Sequence, residues 1–190
     1  IGWCDWSSDV CSSDLFGHWK GSPPEIITRL PQSGSDRIYF RLICREDQVI
    51  GAWNPSREEN EAFVGFSNHF RSKGLPVPEV YVYYPEDKIY FIEDLGDTNL
   101  FTWLARRPEE ERFNEETENL FLTIAADLVR LQTEGIKGLD LSLCYPHRSF
   151  DRQSIVWDMN YYKYMFLKLI GAPFNETRLE RDFEILTRFL

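Results

Sequence analysis

Between residues 25 and 94 the hydrophobic period changes from two to about 3.6 and back again, once each. Residues 37–43 read RIYFRLI, so Ile38, Phe40 and Leu42 share one face and Arg37, Tyr39 and Arg41 the other. Residues 25–30 and 49–53 are further strand candidates, set off by turn-forming stretches at 31–36 and 46–47. A helix then opens at Pro55-Ser56. Glu58 and Glu59 suit its positive end, Phe63, Phe66 and Phe70 form its apolar stripe, and Gly74 stops it. The extended run Leu75-Pro76-Val77-Pro78 leads to two more strands, 80–84 and 89–92, around the turn Pro85-Glu86-Asp87. The order β-β-β-α-β-β predicts an α+β fold with a five-stranded antiparallel sheet and one helix between its third and fourth strands.

From residue 95 the pattern is helical. Segments 99–105, 114–134, 155–170 and 176–190 carry helical periods. In the second of these, Leu120, Ile124, Leu128 and Leu131 share one face, and Gly135 ends it. Residues 138–150 read as a loop. The last helix reaches the end of the chain without a stop signal, with Leu186, Phe189 and Leu190 on an apolar face.

Residues 1–15 stand apart. They have no apolar period and repeat Ser-Ser-Asp; back-translated, residues 5–15 resemble a short-read sequencing adapter. The segment lacks the basic start and long apolar run of a signal peptide. We set it aside as foreign to the fold, read 16–24 as a polar lead-in, and expect the natural protein to extend beyond both ends of this chain. The rest divides into a sheet-rich part, 25–94, and a helical part, 95–190.

The formal charge of -10, from 31 acidic and 21 basic residues, argues against a nucleic-acid-binding surface, which needs a basic stripe. No run approaches the roughly 18 apolar residues of a membrane span, so no membrane partner is expected. Four cysteines, Cys4, Cys11, Cys44 and Cys144, lack metal-ligand spacing. Composition sets no oligomeric state.

Four segments carry a resemblance. Phe91-Ile92-Glu93-Asp94-Leu95-Gly96-Asp97 resembles the hinge of the aminoglycoside phosphotransferase and choline kinase-like family. Residues 74–80 (GLPVPEV) resemble its link from helix to fourth strand, and 122–132 (LTIAADLVRLQ) its first long helix after the hinge. The loop and strand at 33–42 (SGSDRIYFRL) are most similar to bacterial cell-wall amino-sugar kinases, which phosphorylate N-acetylmuramate or N-acetylglucosamine at the anomeric position. The resemblance implies a protein-kinase-like fold: an N-lobe entering the start of a helical C-lobe. It also implies an ATP-dependent, Mg²⁺-assisted transfer of a phosphoryl group to a sugar or amino-sugar hydroxyl, in the cytoplasm.

The site residues follow from that resemblance. Ser33, Gly34 and Ser35 let backbone N–H groups approach phosphates. A kinase-like third strand carries a lysine for the phosphates, paired with a helix glutamate. Here that strand has none; an A-x-K frame starting at Ala52 puts Asn54 at the lysine's place, and a one-residue shift puts Trp53 there. Arg37 or Arg41 is expected to supply the charge, with Glu61 as the helix glutamate. Glu58 and Glu59 are read as partners of the helix dipole. Backbone groups of Glu93, Asp94 and Leu95 would hold adenine, walled by Val49, Ala52 and Ile92. Trp157, Asp158 and Tyr161 are candidates for the acceptor, since aromatic faces stack on sugar rings.

No catalytic residue or metal ligand is expected within this chain. Asp182 is followed five residues later by Thr187 rather than Asn, and His147-Arg148-Ser149 has Ser where Asp is required. The catalytic loop is expected beyond Leu190, leaving this chain inactive. The alternatives are an aminoglycoside- or choline-type kinase, a non-catalytic nucleotide-binding module that the missing lysine would suit, and an interaction domain without nucleotide.

Overall fold

The computed structural model describes residues 9–32, 35–45 and 47–189, and the chain divides into two compact units, Ile1–Tyr145 and Pro146–Leu190. The expected transition at residue 95 is where sheet gives way to helix; the division into units comes later.

In the first unit, strands β1 (Ile26–Arg29), β2 (Ile38–Cys44), β3 (Asp47–Trp53), β4 (Val80–Tyr84) and β5 (Ile89–Glu93) form one sheet in the order β1-β2-β3-β5-β4. Every neighbouring pair is antiparallel, with Arg41 opposite Ile50 and Ile50 opposite Ile92. The period-two alternation of β2 appears as alternating burial: Phe40, Leu42 and Cys44 are buried on one face. Val49, Ile89 and Phe91 join them there. Ile50, Ala52, Tyr90 and Ile92 form the core of the other face.

Each face has its own helix. The second face is covered by α2 (Arg57–Ser72), through Phe63 and Val64; the Phe63 and Tyr90 rings stack at 4.9 Å. Ser56 caps α2 by accepting from the Glu59 amide at 3.2 Å. Asn60, fully buried, donates to the carbonyls of Asn54 at 3.0 Å and Lys88 at 3.3 Å. It ties the helix to the end of β3 and to the β4–β5 turn. Gly74, at φ +67°, ends the helix as expected. The expected Phe63-Phe66-Phe70 stripe splits: Phe63 lies on the sheet, while Phe66 and Phe70 lie against each other at 6.2 Å.

The first face is covered by an element the sequence reading set aside. Residues 9–20 form one helix, α1, which runs across the boundary at residue 15. Phe16 is fully buried, and the Trp19 ring stacks on Phe91 at 5.6 Å. Leu15 packs beside them. The lead-in expected at 16–24 is therefore helical through Lys20. The reason is burial: Phe40, Leu42 and Phe91 need an apolar cover, and burying a Phe contributes roughly 2–3 kcal/mol.

Beyond the sheet come α3 (Leu100–Ala105) and α4 (Glu115–Thr133), capped by Asn99 and Asn114. The expected stripe of α4 is only half-buried, and Leu128 is 54% exposed. The loop that follows contains one 3-10 turn, Leu141–Leu143.

The second unit holds α5 (Arg152–Tyr162), which continues into a π-turn at Lys163–Leu167, and α6 (Glu176–Phe189). Ile155 and Phe183 are its buried apolar residues. The buried Lys163 ammonium is held by Glu176 at 2.6 Å and Glu180 at 2.5 Å. Leu186 and Phe189 are exposed; Leu190 lies outside the described residues.

Candidate functional site

The parity of the strands decides which nominated residues can meet. Tyr39, Arg41, Ile50, Ala52, Tyr90 and Ile92 all lie on the α2 side of the sheet. Val49 lies on the α1 side, with Phe16 and Phe91, and cannot share an adenine wall with Ala52 and Ile92. Ala52 and Ile92 do share a face, and both are already buried, at 1% and 8% exposure.

The two arginines have separate tasks. Just before β2, the Arg37 guanidinium donates to Glu59 on α2 at 2.6 Å and lies 5.5 Å over the Phe63 ring. Burial lowers its pKa, but the Tyr90 and Tyr39 hydroxyls and the Glu59 carboxylate outweigh this and hold it above its ordinary value. Its Nε is buried without a partner. The helix glutamate that meets a strand cation is thus Glu59, not Glu61. Glu61, as exposed as Glu59, pairs instead with Arg57 one turn earlier, at 2.8 Å.

Arg41 serves the segment after β5. It makes four hydrogen bonds to two carboxylates: Nε and Nη2 to Asp94 at 2.5 and 3.1 Å, Nη1 and Nη2 to Asp97 at 3.1 and 2.8 Å. Gln48 adds a bond to Asp94 at 2.6 Å, and the Gly96 amide another at 2.8 Å. The hydrogen bonds that Arg41 donates to Asp97 and Asp94 raise its pKa above its ordinary value. Burial pushes the Asp94 carboxyl up, but Arg41, the Gly96 N–H and Gln48 outweigh it and hold Asp94 below the usual range; Arg41 holds Asp97 down in the same way. A guanidinium so engaged is not free for a phosphate.

The remaining nominations divide. Asn54 is buried and its side chain accepts from the Ser56 amide at 3.2 Å, so it shapes the entry to α2. The Glu93 amide donates to the Glu79 carbonyl at 2.9 Å, which removes it as a donor to a base. Its carboxylate accepts from the Glu79 amide at 3.1 Å and Arg71 at 3.3 Å. Leu95 is 69% exposed. Ser33 and Gly34 lie outside the described residues; Ser35 is exposed, and its carbonyl accepts from Gln32 at 3.4 Å.

In the second unit, Asp158 and Tyr161 line a groove of about 460 Å³ with Tyr162, Met165 and Phe166. Trp157 is not part of that lining; its ring lies 5.9 Å from His147.

Sequence reasoning gave Glu59 a dipole role only, quoted Asp97 only within the hinge resemblance, and missed Gln48. Glu59 was visible as the residue three after a capping Ser, and Asp97 as the second carboxylate of Asp94-Leu95-Gly96-Asp97. Gln48 left no signal. Among the described residues no three His, Cys, Asp or Glu side chains converge as a metal site, and no helix is long and apolar enough to cross a membrane. Asp94 and Asp97 do come together, but both carboxylates are held by the Arg41 guanidinium, so this pair does not fit a resident magnesium ion. No protein-family model matches the chain, and no curated protein matches it.

Proposed function

We propose that the chain is the nucleotide-binding part of an ATP-dependent phosphotransferase of protein-kinase-like fold, acting on a sugar or amino-sugar hydroxyl in the cytoplasm. The observation that carries this reading is the Arg37–Glu59 ion pair. It joins the start of β2 to the helix between the third and fourth strands. In kinases a strand lysine and a helix glutamate form such a pair, and the lysine holds the phosphates. Arg37 supplies the cation from the residue that leads into β2, not from β3. Only its Nη2 is engaged by Glu59, and donors remain for a phosphate. The five-stranded antiparallel sheet, with its one intervening helix and helices only thereafter, supports the same reading.

Catalysis in such enzymes is positioning and charge neutralisation. Arg37 would fix the phosphates, and the Asp94–Leu95 backbone would meet the base. The base catalyst and metal ligands are not among these residues. A second reading, a nucleotide-binding module without catalysis, is favoured by Asn54: at the lysine place it is buried and engaged in shaping the helix entry.

The test is titration of the chain with ATP, with and without Mg²⁺. Arg37→Ala is expected to weaken binding about tenfold or more, as loss of a charge-assisted contact does. Unchanged affinity in Arg37→Ala would remove the reading. Binding indifferent to Mg²⁺ would favour the module.

A further inference from the structure

We infer that Arg41 is a positioning residue for the nucleotide base: it clamps the segment Asp94–Asp97 onto the sheet and leaves phosphate binding to Arg37. This rests on the nucleotide reading above, and it reassigns Arg41 from the phosphate role that the sequence allows.

Three features carry it. The planar guanidinium grips two carboxylates three residues apart, forked on each, a geometry lysine cannot reproduce. Of these, the Asp94 side chain is 3% exposed and the Asp97 side chain 74%. One end of the clamp is therefore built into the protein and the other lies at the surface. The segment between them turns through Gly96 at φ +80°, a conformation that only glycine adopts cheaply, with its amide on Asp94. Beyond the sheet, Asp94–Asp97 has no regular structure of its own. Its path is set by this network, and Gln48 ties Asp94 to β3 as well.

The site of the clamp is as informative as its strength. Arg41 stands opposite Ile50, and Ile50 opposite Ile92, in one row across the sheet. That row runs on to Val80 of β4, and the Arg41 guanidinium reaches out of it to Asp94 and Asp97, in the segment that follows β5 and is expected to meet the base. With the Glu93 amide already bonded to Glu79, the backbone edge left for a base lies at Asp94 and Leu95, within the clamped turn. Loosening Arg41 blurs that edge without touching Arg37.

The experiment compares Arg41→Lys with the unmodified chain, using ATP and inorganic tripolyphosphate as probes and amide hydrogen exchange of residues 94–97 as an independent readout. The expected result is faster exchange at 94–97 and an ATP affinity about tenfold weaker, with tripolyphosphate affinity unchanged. Asp97→Asn, which leaves the buried half of the clamp intact, is expected to produce a smaller loss in the same direction. Equal losses for ATP and tripolyphosphate would return Arg41 to a phosphate role and overturn the inference. So would an Arg41→Lys protein that matches the unmodified chain in exchange and in ATP affinity. An unmodified chain that binds neither probe would overturn the nucleotide reading itself, a result distinct from both.

Discussion

Asn60, on α2, and Tyr90, on the sheet beneath it, are both fully buried polar side chains, yet they contribute to the fold differently. The Asn60 side-chain amide donates to two backbone carbonyls, those of Asn54 and Lys88, although its Oδ1 has no partner. The Tyr90 hydroxyl has no partner, and burial raises its pKa well above the ordinary value. Asn60→Ala should therefore cost about 1–3 kcal/mol, whereas Tyr90→Phe should be neutral or stabilise by up to about 1 kcal/mol. Urea denaturation of the two variants measures this. A Tyr90→Phe loss as large as that of Asn60→Ala would show that the hydroxyl is satisfied in solution. At the same scale, residue spacing places several glutamates near the helix start; Glu59 and Glu61 are equally exposed, and only their ion pairs, to Arg37 and to Arg57, tell them apart.

At the scale of elements, the strands and their order along the chain were legible because β2 alternates with a period of two, while β3 and β5, buried on both faces, read as short apolar runs bounded by turns. The helix α1 was not legible. Gly17 and the Gly21-Ser22-Pro23-Pro24 run read as a lead-in, and the adapter-like stretch drew the boundary through the helix. Its signal was the pair Phe16 and Trp19, three residues apart, which meant little until an uncovered sheet face was in view. Where α4 ends, Gly135 does more than stop a helix. A Cβ there would lie 2.2 Å from the Leu131 carbonyl oxygen and 3.0 Å from the Phe70 ring, and the Gly135 carbonyl accepts from or faces His69 Nε2 at 2.8 Å. Gly135→Ala should cost about 1–3 kcal/mol, because backbone must move to make room. The control is Gly65→Ala, whose nearest contact is the flexible end of Leu143 at 2.5 Å and which should cost less. Thermal unfolding of the two proteins decides; equal midpoints would contradict the argument.

Across the whole molecule the two halves of the sequence are finished to different degrees. The sheet is covered on both faces, and its polar links, Arg37 to Glu59 and Arg41 to Asp94 and Asp97, join strand to helix and strand to loop. The helical residues that follow leave Phe121, Leu122, Leu128 and Val129 of α4, and Tyr161, Met165 and Phe166 of the second unit, at the surface. Sequence periodicity could announce those helices but not their burial, because a stripe is the same whether or not anything covers it. The residues that join ends of the chain far apart in sequence, such as Arg41 and Asp97, were legible only as isolated charges.

The central claim is that ATP binds on the α2 side of the sheet, between Arg37 and the Asp94–Leu95 backbone. Amide hydrogen exchange of the chain with and without saturating ATP tests it most directly. The account predicts slowed exchange at residues 35–41 and 94–97, with residues 146–190 unchanged. Protection confined to 146–190, or none at all at saturation, would contradict it.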